Sequence, residues 1–210
     1  FPLASEPFHS TAELVGRIAI GRSQLVLLPE PPEEAARFVD LDQLVTGTKP
    51  PILVVRTKIA EPGSVFVRIL HCLTGNFRQT QNFSYSFTLV TDDGFLQLLH
   101  VVVGDELRDV REALRLTAPG DAVDQDAFLQ QLTHHGERYL KAVVAAARDE
   151  PFDVRYRLAV GDVVKTVEEE LRRERYGLLV VGRHEEGHSR VSAEDYRLMH
   201  QVQSLPVLAL

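Results

Sequence analysis

Short apolar runs alternate with longer amphipathic stretches along most of this chain. Leu178–Val181 (L-L-V-V), set between Gly177 and Gly182, is apolar at every position and predicts a strand buried on both faces. Gln24–Leu28, Ile52–Val55, Val65–Leu73, Phe95–Val103, Val154–Val160 and Val207–Leu210 also read as strands, the first and last of them buried. Between them lie stretches whose apolar residues recur at helical spacing: Thr11–Ile20, Phe38–Val45, Phe77–Val90, Glu106–Leu116, Asp124–Ala147, a helix from Gly161-Asp162 to about Arg175, and Ala193–Val202. Ser10 is placed to cap the first, Pro29 to stop the first strand, and Gly177 to end the helix before it as a C′ glycine. In the helix from Gly161, Val164, Val167 and Leu171 are expected to face inward, and Glu168–Glu170 outward. From Val65 onward, strand and helix alternate to the end. That order predicts an α/β fold with a doubly wound, mostly parallel five-stranded sheet, its central strand beginning at Val65.

The opening third repeats the closing pattern. Leu25–Leu28, loop, helix, Pro50-Pro51 and Ile52–Val55 match Leu178–Val181, loop, helix, Pro206 and Val207–Leu210. The repeat lies in the pattern, since few residues are identical, and its opening strands are missing. Residues 1–60 are therefore expected to be a partial half domain, and residues 61–210 a full one, with Glu61-Pro62-Gly63 as the turn between them.

Composition narrows the function. A net charge of −7 argues against a general nucleic-acid binder and against docking on an acidic membrane. A single cysteine, Cys72, cannot form an intramolecular disulfide and favours a reducing, cytoplasmic setting. No apolar run reaches the length of a membrane span. The first residue is Phe1 rather than Met, which fits a fragment or processed product whose membrane part, if any, lies outside it.

Candidate chemistry is sparse. His184–His188 spells H-E-x-x-H, a zinc-protease pattern that needs both imidazoles on one helical face. Here it follows a buried strand and contains Gly187, so it reads as an exposed loop and no metal is expected. Arg183, His184, His188, Ser189 and Arg190 are a weak anion-site candidate. His71 and His100 read as satisfied polar residues near strand ends, and Cys72 as a small buried hydrophobe. No Ser/His/Asp order or carboxylate pair stands out, so no catalytic residue is assigned.

G-D-V-V-K-T-V, then Y-G-L-L-V-V-G, and the closing S-L-P-V-L-A-L resemble the universal stress protein family, over Val65–Leu210 as one full domain and Ser10–Arg56 as the second half of another. The resemblance implies an adenine-nucleotide alpha hydrolase-like fold. Nucleotide-binding members carry Gly, two residues, Gly, nine residues, then Gly-Ser or Gly-Thr after the fourth strand, so that backbone N–H groups reach phosphate oxygens. They also carry an Asp at the end of the first strand. Here Gly182 is in place, but the next glycine, Gly187, comes two residues late, and no Gly-Ser or Gly-Thr follows. Thr74 aligns with the Asp, and Pro29 with the first Gly in the partial copy. Thr74, Gly182, Arg183, Gly187 and Ser189 are thus the residues of a degenerate nucleotide site.

The expectation is a non-enzymatic regulatory or interaction module without cofactor. The alternatives are an ATP or AMP sensor, or slow ATPase, with ATP as its ligand, and the cytosolic domain of a membrane transporter such as a cation/proton antiporter. The family's habit of pairing final strands implies a homodimer or an intramolecular pseudo-dimer through Ile52, Leu53, Val54, Val207 and Leu208.

Overall fold

Strand formation follows the apolar runs. The computed structural model describes residues 10–21, 24–29, 40–56, 58–74, 81–102, 125–182 and 193–210. Its strands are β1 (Val26–Pro29), β2 (Ile52–Val55), β3 (Arg68–Thr74), β4 (Phe95–Val102), β5 (Asp153–Val160), β6 (Leu178–Val181) and β7 (Val207–Ala209). Its helices are α1 (Thr11–Gly21), α2 (Leu41–Gly47), α3 (Gln81–Leu89), α4 (Gln125–Ala146), α5 (Val163–Arg173) and α6 (Ala193–Gln201). The helix expected over Glu106–Leu116 lies outside the described residues.

Local chemistry sets the helix starts. Ser10 Oγ accepts the Glu13 N–H at 3.2 Å, and Glu13 pairs with Arg17 one turn on. Asp40 Oδ1 accepts the Gln43 N–H at 3.1 Å, and Asp162 Oδ1 accepts that of Lys165 at 2.9 Å. Each bond satisfies one of the donors that a helix start leaves open.

The strands form one seven-stranded sheet in the order β1-β2-β7-β6-β3-β4-β5, in which the five from Arg68 onward are the five expected there and β1 and β2 extend it. All neighbours are parallel except β2 and β7, which run antiparallel with Leu53 opposite Leu208. β3 is the centre of the five strands from Arg68 onward, as expected. One face of the sheet packs Leu70, Cys72, Leu179 and Val181 against α1, α2, α5 and α6, through Ile18, Leu44, Val167 and Leu198. The other packs Ile69, Leu98, Leu178 and Val180 against α3 and α4, through Phe83 and Leu140. Strands that are buried on both sides need apolar residues at every position, which is why β4 and β6 carry almost nothing else.

Four details depart from the sequence reading. Val65 and Phe66 belong to a 3₁₀ turn, Pro62–Phe66, and the strand begins only at Arg68. Val65 is buried beneath the sheet rather than paired in it, because Pro62 opens a helical turn there. Pro29 is the last residue of β1 rather than the one after it, which an outer strand tolerates because it needs no N–H on its open side. Glu170, expected on the surface, is 6% exposed; it accepts from Arg157 and, at 2.9 Å, from the Tyr176 hydroxyl. Gly177 is not a helix terminator: α5 ends at Arg173, and Glu174 is its extended cap. Gly177 is needed for close approach, since a Cβ there would sit 2.6 Å from the Val65 carbonyl oxygen.

Candidate functional site

From β3 the chain crosses to β4 and β5 on one side of the sheet, then returns to place β6 and β7 on the other. The crossovers therefore diverge between β3 and β6. In a parallel sheet, this point at the strands' carboxyl ends is where ligands bind. Thr74 closes β3 and Gly182 follows β6, and the register Cys72 opposite Val181 sets the two ends side by side. Thr74 and Gly182 thus stand at neighbouring strand ends. Arg183, Gly187, Ser189 and the whole His184–His188 motif lie outside the described residues.

A residue not singled out from the sequence completes the arrangement. The Thr74 hydroxyl donates to Asp195 Oδ1 at 2.9 Å, and both side chains are buried, Asp195 completely. Asp195 lies in the first turn of α6, where the unpaired N–H groups and the helix dipole favour a carboxylate. In sequence, Ala193-Glu194-Asp195 reads as a solvent-facing acidic helix start; only the packing of α6 on the sheet turns its third residue inward. Two residues below Thr74, on the same side of β3, burial and then the Asp195 charge push the Cys72 thiol up, so it stays protonated. It is a small core hydrophobe, not a nucleophile.

Asp162 ties the helices of this end together. Besides capping α5, it accepts from Arg197 of α6 at 2.9 Å. The Lys165 N–H first, and Arg197 after it, hold its carboxyl below the usual carboxylate range.

The buried histidines lie on the opposite face. His71 is fully buried in mid-strand, not near a strand end, and Nδ1 shares a 2.7 Å hydrogen bond with Ser86 Oγ. Its Nε2 has no partner among the described residues. Burial holds its pKa down at about 3. His100 is held at about 4 by burial, partly offset by a bond to the Leu73 backbone. Both are neutral at physiological pH. His134 and His135 are both exposed on α4. Among the described residues, no three His, Cys, Asp or Glu side chains gather as metal ligands, and no helix is long and apolar enough to cross a membrane.

Protein-family models and curated proteins give no match to this sequence. Solved structures do. A universal stress protein from Archaeoglobus fulgidus DSM 4304 superposes with a TM-score of 0.57 at 15% identity, over 95% of this chain and 64% of its own. The chain has the fold of the universal stress proteins. A candidate universal stress protein from Pseudomonas aeruginosa UCBPP-PA14 matches 98% of the chain and 69% of its own, with a TM-score of 0.53 at 13% identity. Hypothetical protein MJ0577 matches 69% of the chain and 96% of its own, with a TM-score of 0.52 at 15% identity. The chain thus spans less than two thirds of the Archaeoglobus protein, while MJ0577 spans about two thirds of the chain. The universal stress fold expected from G-D-V-V-K-T-V and Y-G-L-L-V-V-G is therefore present.

Proposed function

We propose that the chain is a regulatory and interaction module of universal stress type that binds no nucleotide in the family manner. The observation that carries this reading is the bond from Thr74 to the buried Asp195 carboxylate at the carboxyl ends of β3 and β6. A negative charge held there opposes a phosphate, and the hydroxyl at the end of β3 is already engaged within the protein. The sequence adds to this, because the loop after Gly182 lacks the second glycine at its spacing and the closing Gly-Ser.

A second reading, a nucleotide sensor, rests on location: Gly182 follows the fourth strand of the five, at the point where parallel sheets take ligands. Isothermal titration calorimetry with ATP and AMP separates the two. The module reading expects no heat of binding at micromolar concentrations. A micromolar dissociation constant for ATP, abolished by Gly182→Val, would reject it in favour of the sensor. The exposed surface near β1 and the antiparallel meeting of β2 with β7 support assembly of sheets as the mode of interaction.

A further inference from the structure

We propose that α3 is an acid-released flap: proton uptake by His71 lifts this helix off the sheet, while β3 keeps its place between β4 and β6. The device is separate from the Gly182 end and works whether or not nucleotide binds there.

α3 has little to hold it as a helix by itself. Its nine residues, Q-N-F-S-Y-S-F-T-L, are mostly Ser, Thr and aromatics, with no acid in the first turn and no base in the last. Helices shorter than about 12 residues are marginal alone in water. The helix is held instead by what lies beneath it. Phe83 packs on His71, ring centres 5.4 Å apart, and on Tyr139 of α4 at 5.9 Å, while Phe87 meets Phe152 edge-on at 5.6 Å. A polar link to the sheet joins Ser86 Oγ to His71 Nδ1 at 2.7 Å, with both residues 0% exposed.

This setting suits only a neutral imidazole. A protonated ring would need an acceptor at Nε2 as well, and among the described residues it has none. Counter-charge is missing too. α3 and β6 carry no charged residue, Tyr85 of α3 is exposed, and β4 carries only His100, itself neutral. On β3, Arg68 and Cys72 belong to the other face. On α4, His134, His135 and Arg138 are exposed, Glu137 pairs with Lys141 at the surface, and burial keeps Tyr139 protonated. An unpaired charge so deeply buried is strongly unfavourable, which holds the pKa of His71 at about 3.

Opening changes that balance. Beside water the ring titrates at its ordinary 6.5, so the open form binds a proton that the closed form refuses. Closure is at full strength above pH 6.5 and weakens as the pH falls toward 3. Each unit in that window raises the open population by up to about tenfold. α3 can leave by itself because β4 and β6 bond β3 on either side and α4 packs through its own Leu140. Its departure bares Phe83 and the apolar residues packed with it, a surface that the neutral protein keeps covered.

Native-state amide exchange on the 210-residue chain, corrected for intrinsic exchange rates, tests this. Between pH 7 and pH 5 the protection of residues 86–90 is expected to fall about 25-fold, from pKa values of 6.5 and about 3. At each pH it should stay at least about tenfold below that of Leu179 in β6 and depend far less on added urea, since the opening is local. His71→Gln should remove the pH dependence. Ser86→Ala, which retains the titrating ring, should keep the ratio and raise opening severalfold at pH 7. Protection that does not change with pH, or a change that survives in His71→Gln, overturns the proposal. So do equal protection and equal urea dependence at residues 86–90 and Leu179, which would mean global unfolding alone. Should His71→Gln fail to fold, Ser86→Ala decides: opening unchanged at pH 7, or a lost ratio, overturns the link between His71 and α3.

Discussion

At the scale of single residues, buried polar groups set the molecule's most testable properties. Thr74→Val keeps the side chain's shape but removes the proton that Asp195 accepts, leaving a buried carboxylate one bond short. A loss of about 1–3 kcal/mol is expected in urea unfolding; a change of under a few tenths would show that the pair is immaterial. His71 gives a pH signature. Its folded pKa of about 3 lies below the ordinary 6.5, so the unfolded chain binds more protons between those values. Stability is full above pH 6.5 and falls as the pH drops toward 3, by at most about 1.4 kcal/mol per pH unit from this group. Urea midpoints measured from pH 7 to 4 should decline, and His71→Gln should flatten part of that slope; an unchanged slope would remove His71 from the account. The sequence marks His71 as polar within an apolar run, yet it gives no sign that Ser86 waits on α3 to bond it.

At the scale of elements, the pattern of apolar runs marks the strands, most plainly β4 and β6, which are buried on both faces, while β1 and β5 turn out partly exposed. What it missed were positions decided by contacts distant in sequence. Glu170 reads as the third of three surface acids, but β5 brings Arg157 beneath it and the turn before β6 brings the Tyr176 hydroxyl. Burial, and then Glu170, push the Tyr176 hydroxyl up, so it remains a donor. Glu170→Ala should therefore cost roughly 3 kcal/mol, the order found when one partner of a buried pair is removed, and Tyr176→Phe only about 1 kcal/mol. Equal losses from the two substitutions, measured by chemical denaturation, would mean that Arg157 contributes nothing to holding Glu170. In sequence Gly177 reads as a helix end because glycine commonly is one; its role depends on the 3₁₀ turn, which sets the Ser64 and Val65 carbonyl oxygens against it. The candidate site divided the same way. Thr74 and Gly182 were legible from strand ends, whereas Asp195 was not, since the inward turn of a helix's first residues depends on what the helix packs against.

At the scale of the whole molecule, a single apolar seam joins the first two strands to the rest. Leu53 and Leu208 are 9% and 3% exposed and face one another across it. Replacing both with Asp would bury two unpaired charges, so loss of the cooperative unfolding transition or aggregation is expected in size-exclusion chromatography. A monodisperse, cooperatively folding double variant would show that the seam is dispensable. The register of that seam also bears on how the chain folds. Strands β3 and β4 meet across roughly 27 residues of sequence, Leu70 with Gln97, whereas Leu53 and Leu208 are roughly 155 apart. Closing the longer loop costs more chain entropy, about (3/2)RT ln n, and no contact repays it until both ends are in place. The five-stranded part can therefore form first and serve as the template on which β1 and β2 arrive late. Late contacts govern escape from the native state more than arrival there, so Leu53→Ala should speed unfolding while leaving the refolding rate almost unchanged. In stopped-flow experiments, a refolding arm slowed as much as the unfolding arm is accelerated would place the seam in the early nucleus instead.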